Sequence, residues 1–239
     1  MGELLRIEGR HNIEAALAHG FPLSEVIFQN DSHRDLEAAL PAALPRQRLS
    51  KSAAQAETGI RFHRGVWALA PRPQPRALPT PPPRLIVVAH QLADARNLGA
   101  LLRNAAALGA DQILLSEEGA DPYSPPAIRA SATAFCRLPI RSTPRLFQEL
   151  TELRTTHRLL ATDLRPDAQE WSDSLLSPVA ASPLLLLFGN EGEGLPQEFL
   201  ALADLRLRLP MTHAMESLNI ATTAALLLHD LARLRPRPA

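Results

Sequence analysis

Apolar residues recur along this chain with two different periods. From position 84 onward, short runs dominated by branched apolar residues appear as "RLIVVAH", "QILLS", "RLLATD" and "LLLLF", and "LRLRLP" alternates strictly. Runs of this length and composition predict strands. Between them, apolar positions return at helical spacing near 98–108, 144–156 and 217–234. Strands in alternation with helices, several of the strands apolar on both faces, predict an α/β fold: a mostly parallel sheet with helices on both faces. Ahead of that region, "GRHNIEAALAHG" predicts a short helix with Ile13, Ala16 and Leu17 on one face, and "SEVIFQ" and "GVWALA" predict strands of a small, separate α/β module. Half of the intervening "PRPQPRALPTPPPR" is proline, which fixes φ and has no N–H for a ladder, so an extended, semi-rigid spacer is expected. The expected division is therefore 1–70, a linker over 71–84 and a larger domain over 85–239.

Composition narrows the class. The 239 residues are 46% hydrophobic with a formal net charge of zero, and no apolar run approaches the roughly 20 residues that span a bilayer. A water-soluble protein with no membrane association is expected. The start "MGELLRIEGRHNIEAAL" lacks the basic end and continuous apolar core of a signal peptide, and Cys136 is the only cysteine. These features read as a cytoplasmic protein without an internal disulfide. One cysteine and scattered histidines offer no zinc-type spacing, so no metal is expected. Charge is uneven: Arg46, Arg48, Lys51, Arg61, Arg64, Arg72, Arg76 and Arg84 stand against the single acid Glu57 between 45 and 84. Such a region suits a polyanion, although a solvated linker and surface face would carry the same residues. With aromatics at 4%, extensive stacking on bases is not expected.

Ligands of parallel sheets collect beyond the carboxyl ends of the strands, and three unusual segments fall there. The first is "LLLLFGNEGEGLP", with Gly189, Gly192 and Gly194 in the order G-x-x-G-x-G. This is neither the dinucleotide fingerprint nor a phosphate loop, and Glu191 and Glu193 would repel a polyphosphate. A neutral or cationic ligand fits better, with glycine letting backbone approach a flat group; a plain glycine turn with solvated glutamates is the alternative. In the second segment, "DARNLGALLRNAAALGA", Leu98, Leu101, Leu102, Ala105 and Leu108 form a helical stripe with Asn97 at the N-cap. Arg103 lies off that stripe and would lean back over Gly99 and Ala100 toward Asn97, where a guanidinium suits a phosphate or ribose oxygen. An ordinary cap and a surface arginine are the plainer reading. In the third, "LRLRLPMTHAMESLNIATTAALLLHDLARL", the strand ends at Leu209, Pro210 and Met211 open a loop, and Ser217 and Asn219 precede a strongly apolar helix that Ser217 is placed to cap. The adjacent Leu226, Leu227 and Leu228 predict burial on more than one side, within the domain or against a partner subunit.

Together, "RNLGALLRNAAALGA", "LFGNEGEGLP" and "LPMTHAMESLNIATTAALLL" resemble, in order, spacing and strand context, the motifs of the SpoU/TrmH branch of the SPOUT RNA methyltransferases. "PYSPPAIRASATAFCRLPI" is similar to the family's intervening stretch, and the first 77 residues, with "IEGRHNIEAAL" and "FHRGVWALAPR", resemble the substrate-binding domain of rRNA-directed members. The resemblance implies S-adenosylmethionine as methyl donor, the 2'-hydroxyl of an RNA ribose as acceptor, a homodimer and a C-terminal trefoil knot. It implies that Gly189, Leu209 and Leu218 meet the cofactor mainly through backbone, with Met211 and Gly194 nearby. The active-site residues it implies are Asn97, Arg103, Glu191, Ser217 and Asn219. Because guanidinium groups stay protonated in proteins, Arg103 is assigned to a flanking phosphate and to developing oxyanion character rather than to the role of base. The chain departs from the family pattern at Thr133, where glycine is frequent, and at Ala221, where serine is common, and both are expected to bear on substrate fit.

The additional N-terminal module favours rRNA, with tRNA as the alternative substrate. A base-methylating SPOUT enzyme fits the "NLGALLR" and "SLN" motifs less well. A non-catalytic RNA-binding or ribosome-assembly protein would not need all five polar positions, and a nicotinamide dehydrogenase is opposed by the glycine spacing.

Overall fold

Neither "LIVVA" nor "LLLLF" contains a polar residue, and both are buried along their whole length in the computed structural model, which describes residues 4–58, 65–74, 78–212 and 217–235. They occupy the middle of the second of two sheets. The first sheet is built by β1 (Leu4–Glu8), β2 (Glu25–Gln29), β3 (Arg46–Leu49) and β4 (Val66–Pro71), with helices α1 (Arg10–Ala18), α2 (Arg34–Ala39) and α3 (Lys51–Thr58) between them. Its order is β1-β4-β2-β3; β4 runs antiparallel to both neighbours and β3 parallel to β2. Pro71, expected to open the linker, is instead the last residue of β4, at an end of the pairing opposite Leu4.

The second sheet has seven strands in the order β7-β6-β5-β10-β8-β11-β9. These are β5 (Leu85–Ala89), β6 (Gln112–Ser116), β7 (Ile140–Thr143), β8 (Arg158–Thr162), β9 (Gln169–Glu170), β10 (Leu184–Phe188) and β11 (Leu205–Arg208). All of its pairings are parallel. Seven helices connect or follow them: α4 (Ala95–Ala107), α5 (Pro125–Ala130), α6 (Ala134–Arg137), α7 (Leu146–Leu153), α8 (Asp173–Ala180), α9 (Gln197–Leu202) and α10 (Ile220–Leu234). Successive side chains of a strand point to opposite faces. Val87 and Leu186 accordingly join a cluster with α4, α8 and α10, whereas Val88 and Leu187 join another with α7 and α9. On α10, Leu227 and Leu228 are buried and Leu226 is 41% exposed, so one face of that helix is open in the single chain.

The two sheets share a hydrophobic core. Tyr123, Ile128 and Phe135, from the segment after β6, pack with Leu5, Ile7, Val26 and Phe28 of the first sheet. The linker is held rather than free: Arg72 Nη1 and Nη2 donate to Asp121 at 2.9 and 2.8 Å, and His157 Nε2 donates to the Pro83 carbonyl at 2.7 Å. Several of the basic residues between 45 and 84 are thereby employed within the protein. Arg46 donates to the Glu37 carbonyl, Arg48 pairs with the Glu37 carboxylate and Arg84 donates to the Ala181 carbonyl. Arg61, Arg64 and Arg76 lie outside the described residues. Among the described residues, no helix is long and apolar enough to cross a membrane, and no cluster of three or more His, Cys, Asp or Glu is arranged to hold a metal ion.

Candidate active site

Parallel pairing brings the carboxyl ends of β5, β10, β8 and β11 to one edge of the sheet. A cavity of about 460 Å³ opens there, a volume within the range of small-molecule sites. Its walls come from the end of β8, the loop 189–195 after β10, the end of β11 and the approach to α10. Of the residues singled out from the sequence, Asn97, Gly189, Glu191, Gly194, Leu209, Met211, Ser217, Leu218 and Asn219 all line it.

One chain of hydrogen bonds ties the three segments together. Asn97 Nδ2 donates to Glu191 Oε1 at 3.0 Å, and Asn219 Nδ2 donates to Asn97 Oδ1 at 2.8 Å. The other oxygen of Glu191 accepts from the Ala93 amide at 3.4 Å. Asn97 fills this role because it is not the N-cap expected from the sequence. Asp94 caps α4 instead, accepting from the Arg96 and Asn97 amides at 2.7 and 3.3 Å. Its carboxyl lies below the ordinary value, chiefly through hydrogen bonding to Arg96. With the helix starting earlier, the Asn97 side chain is released to face the cavity. Ser217 likewise does not cap α10: the cap is Asn219, whose Oδ1 accepts from the Ala221 amide at 2.9 Å.

Two glycines of loop 189–195, Gly189 and Gly194, are required by the loop's own fold. A Cβ on Gly189 would stand 2.5 Å from the Gly194 carbonyl carbon and 2.7 Å from the Leu195 nitrogen. Gly194 has φ +71°, a left-handed conformation that favours glycine. Asn190 and Gly194 exchange backbone hydrogen bonds at 3.2 and 2.9 Å, which closes the turn. The backbone that crowds Gly189 is thus the opposite limb of its own loop rather than a ligand. Asn190 adds a staple, its Nδ2 donating to the Gln91 carbonyl at 2.7 Å and its Oδ1 accepting from the Gly192 amide at 2.8 Å.

Arg103 does not line the cavity. It is exposed on α4, with no hydrogen bond or ion pair among the described residues. Gly99, expected to leave room beneath it, is small for another reason: a Cβ there would collide with the Ala127 carbonyl and the Ala130 side chain of α5. Thr133 and Ala221 also lie off the cavity, both buried, so their bearing is on packing rather than on the cavity wall. Thr133 takes φ +79°, which accounts for glycine suiting that position.

Among the lining residues that escaped the sequence reading are Thr162, Asp163, Leu164 and Arg165, at and just beyond the end of β8. Asp163 is 9% exposed, and its Oδ2 has no hydrogen-bond partner among the described residues, the Arg206 guanidinium standing 3.7 Å away. The strand "RLLATD" was legible, and the rule that ligands sit at strand carboxyl ends points to its last residues. His90, the residue after β5, has its ring 4.6 Å from Phe199, and burial lowers its pKa.

A profile of the SpoU rRNA Methylase family matches residues 84–229. The chain is similar to an uncharacterized tRNA/rRNA methyltransferase of Mycobacterium tuberculosis, 33% identical over 192 residues, which covers 79% of this chain and 66% of that protein, just short of two thirds. It is also similar to the Bacillus subtilis 23S rRNA guanosine 2'-O-methyltransferase RlmP, 29% identical over 231 residues, or 94% of this chain and 87% of that one. Among solved structures, the SpoU methyltransferase AviRb of Streptomyces viridochromogenes in complex with AdoMet superimposes with a TM-score of 0.80 at 23% identity, over 95% of this chain and 89% of that one. At that identity the likeness concerns the fold.

Proposed function

The chain belongs to the SpoU rRNA methylase family, and on that footing we propose that it is an S-adenosylmethionine-dependent methyltransferase that modifies a ribose 2'-hydroxyl of rRNA in the cytoplasm. The observation that carries this reading is the hydrogen-bond chain from Glu191 through Asn97 to Asn219, which draws all three family motifs to one cavity. The walls fit the donor. Phe188, Leu207 and Leu209 offer apolar surface to an adenine, while Asp163, Glu191 and Glu193 tolerate a cationic sulfonium and would repel phosphates. When bound, S-adenosylmethionine supplies a methyl carbon open to in-line displacement by an oxygen.

The chain's own residues then position that oxygen and its charge. Gly189, Leu209 and Leu218 offer backbone to the cofactor, with Gly194 and Met211 beside them. Asn97, Asn219 and Glu191 lock the loop 189–195 against α4 and α10, and Ser217 stands at the rim. Arg103 binds the phosphate flanking the target ribose and stabilises negative charge developing on the 2'-oxygen, whose proton leaves to water or phosphate. The open face of α10, with Leu226 exposed, together with Leu218 at 38%, supports a homodimer, detectable by light scattering. The trefoil knot implied by the family likeness belongs to the same reading, and the first sheet is taken as the part that holds RNA.

The test supplies S-adenosylmethionine carrying an isotopic methyl to the full chain, with RNA and ribosomal particles from cells lacking this gene, and identifies labelled nucleosides by mass spectrometry after nuclease digestion. A labelled 2'-O-methyl nucleoside in rRNA is expected. Label confined to tRNA would move the substrate, label on a base would overturn the ribose assignment, and no label would favour a non-catalytic RNA-binding role.

A further inference from the structure

We infer that Arg165 receives the methionyl carboxylate of the donor and so selects its amino-acid end; this rests on the cofactor reading above. S-adenosylmethionine carries two cationic groups, a sulfonium and an ammonium, and a single anion, the carboxylate. The charged walls of the cavity have the reverse pattern. Asp163, Glu191 and Glu193 are acidic, and Arg165 is the only cationic side chain lining the cavity among the described residues. Elsewhere on the wall a carboxylate would meet apolar surface, like charge or neutral polar groups such as Asn190, Ser217 and Thr223, none of which offers it an opposite charge on leaving water.

The guanidinium is also held and accessible, its Nε 3.9 Å from Asp163 Oδ1. The Arg165 amide donates to Asp163 Oδ1 at 3.2 Å, a tight turn that fixes the residue just beyond the end of β8. From there Nη1 donates to Gln197 Oε1 and Nη2 to the Leu195 carbonyl at 3.4 Å, so the side chain bridges from β8 to the far limb of loop 189–195. A guanidinium has five N–H donors, and these bonds leave several for a ligand. With the side chain 41% exposed, solvent and ligand reach it. A planar fork facing a carboxylate is the geometry in which arginine outperforms lysine.

A role as a mere strap between β8 and the loop would use the same bonds, and binding measurements separate the two. Calorimetry on the full chain should compare S-adenosylmethionine with decarboxylated S-adenosylmethionine, which keeps the sulfonium and ammonium and lacks only the carboxylate. The wild type is expected to bind S-adenosylmethionine about 10-fold more tightly than the decarboxylated compound, a charged hydrogen bond discounted for partial exposure. In Arg165→Ala and Arg165→Gln that preference should vanish, with affinity for the decarboxylated compound kept; Arg165→Lys should restore part of it. Retained affinity for the decarboxylated compound also reports that the variant is folded. If the variants lose affinity for both compounds equally, or keep the wild-type preference, Arg165 is a strap and the inference is overturned. A wild type that binds neither compound would overturn the cofactor reading itself and this inference with it.

Discussion

Asn97 and Arg103 share α4 but face different surroundings, Asn97 lining the cavity and Arg103 lying off it. Asn97 is bonded on both sides, whereas Arg103 sits roughly 9 Å further along the helix axis and has no protein partner among the described residues. Its guanidinium is exposed on α4 and open to an anion such as a phosphate. We predict that Arg103→Ala lowers single-turnover methylation by about 100-fold or more, in line with loss of an electrostatic stabiliser, and leaves the calorimetric Kd for S-adenosylmethionine nearly unchanged. A parallel loss of cofactor affinity would contradict that division. For Asn97 the expected behaviour is coupling. Asn97→Asp sets a carboxylate against Glu191, and adding Glu191→Gln supplies a donor in its place, so the double variant should recover much of the cofactor affinity lost by the single one. Additive losses would mean that the 3.0 Å bond does not organise the loop.

Among the secondary-structure elements, the contact between α4 and α5 is the tightest test of packing. Gly99→Ala would improve helix propensity by about 1 kcal/mol, but its Cβ would stand 2.6 Å from the Ala130 side chain with the Ala127 carbonyl also in the way. Overpacking of this kind costs about 1–3 kcal/mol, so a net fall in Tm is expected in a thermal melt. The same distinction between self-contained and context-dependent elements explains what the sequence makes legible. β5 and β10 announce themselves because both faces are buried and every position must be apolar. β3 is "RQRL" at a sheet edge and β9 is only Gln169–Glu170, so neither carries a period. α5 and α9 have six residues each, too few to display helical spacing. For the candidate site, the glycine loop and the two asparagines stand in recognisable motifs. Asp163 and Arg165 do not, because they join the site through the lateral order β10-β8-β11, which chain order conceals.

The whole molecule is unified by the core that the two sheets share. Phe135 from the second sheet's connections lies 5.4 Å, edge-on, from Phe21, inside the cluster that supports the first sheet. We therefore predict one cooperative unfolding transition in scanning calorimetry for the wild type. Phe135→Ala should cost about 3–5 kcal/mol and separate the melting of the two sheets into distinct steps. Two resolved transitions in the wild type would show that the shared cluster does not couple them. Acid should act at the same junction. Burial pushes the Asp121 carboxyl upward, but the Arg72 hydrogen bonds, the Tyr123 amide and the charge of Arg72 outweigh it, and the net pKa lies below the ordinary value. A carboxyl depressed in the folded state contributes stability that is fully present above its unfolded value of about 3.9 and is lost as pH falls through the folded value. The Tm difference between the wild type and Asp121→Asn should accordingly be steady above about pH 5 and close as the pH drops below about 3.9. A pinned linker and a common core turn the protein into a caliper with a set opening. If the first sheet grips RNA, the span from that grip to the cavity is fixed by protein packing, and a nucleotide becomes a target by lying at the right distance from a second feature of its own RNA fold.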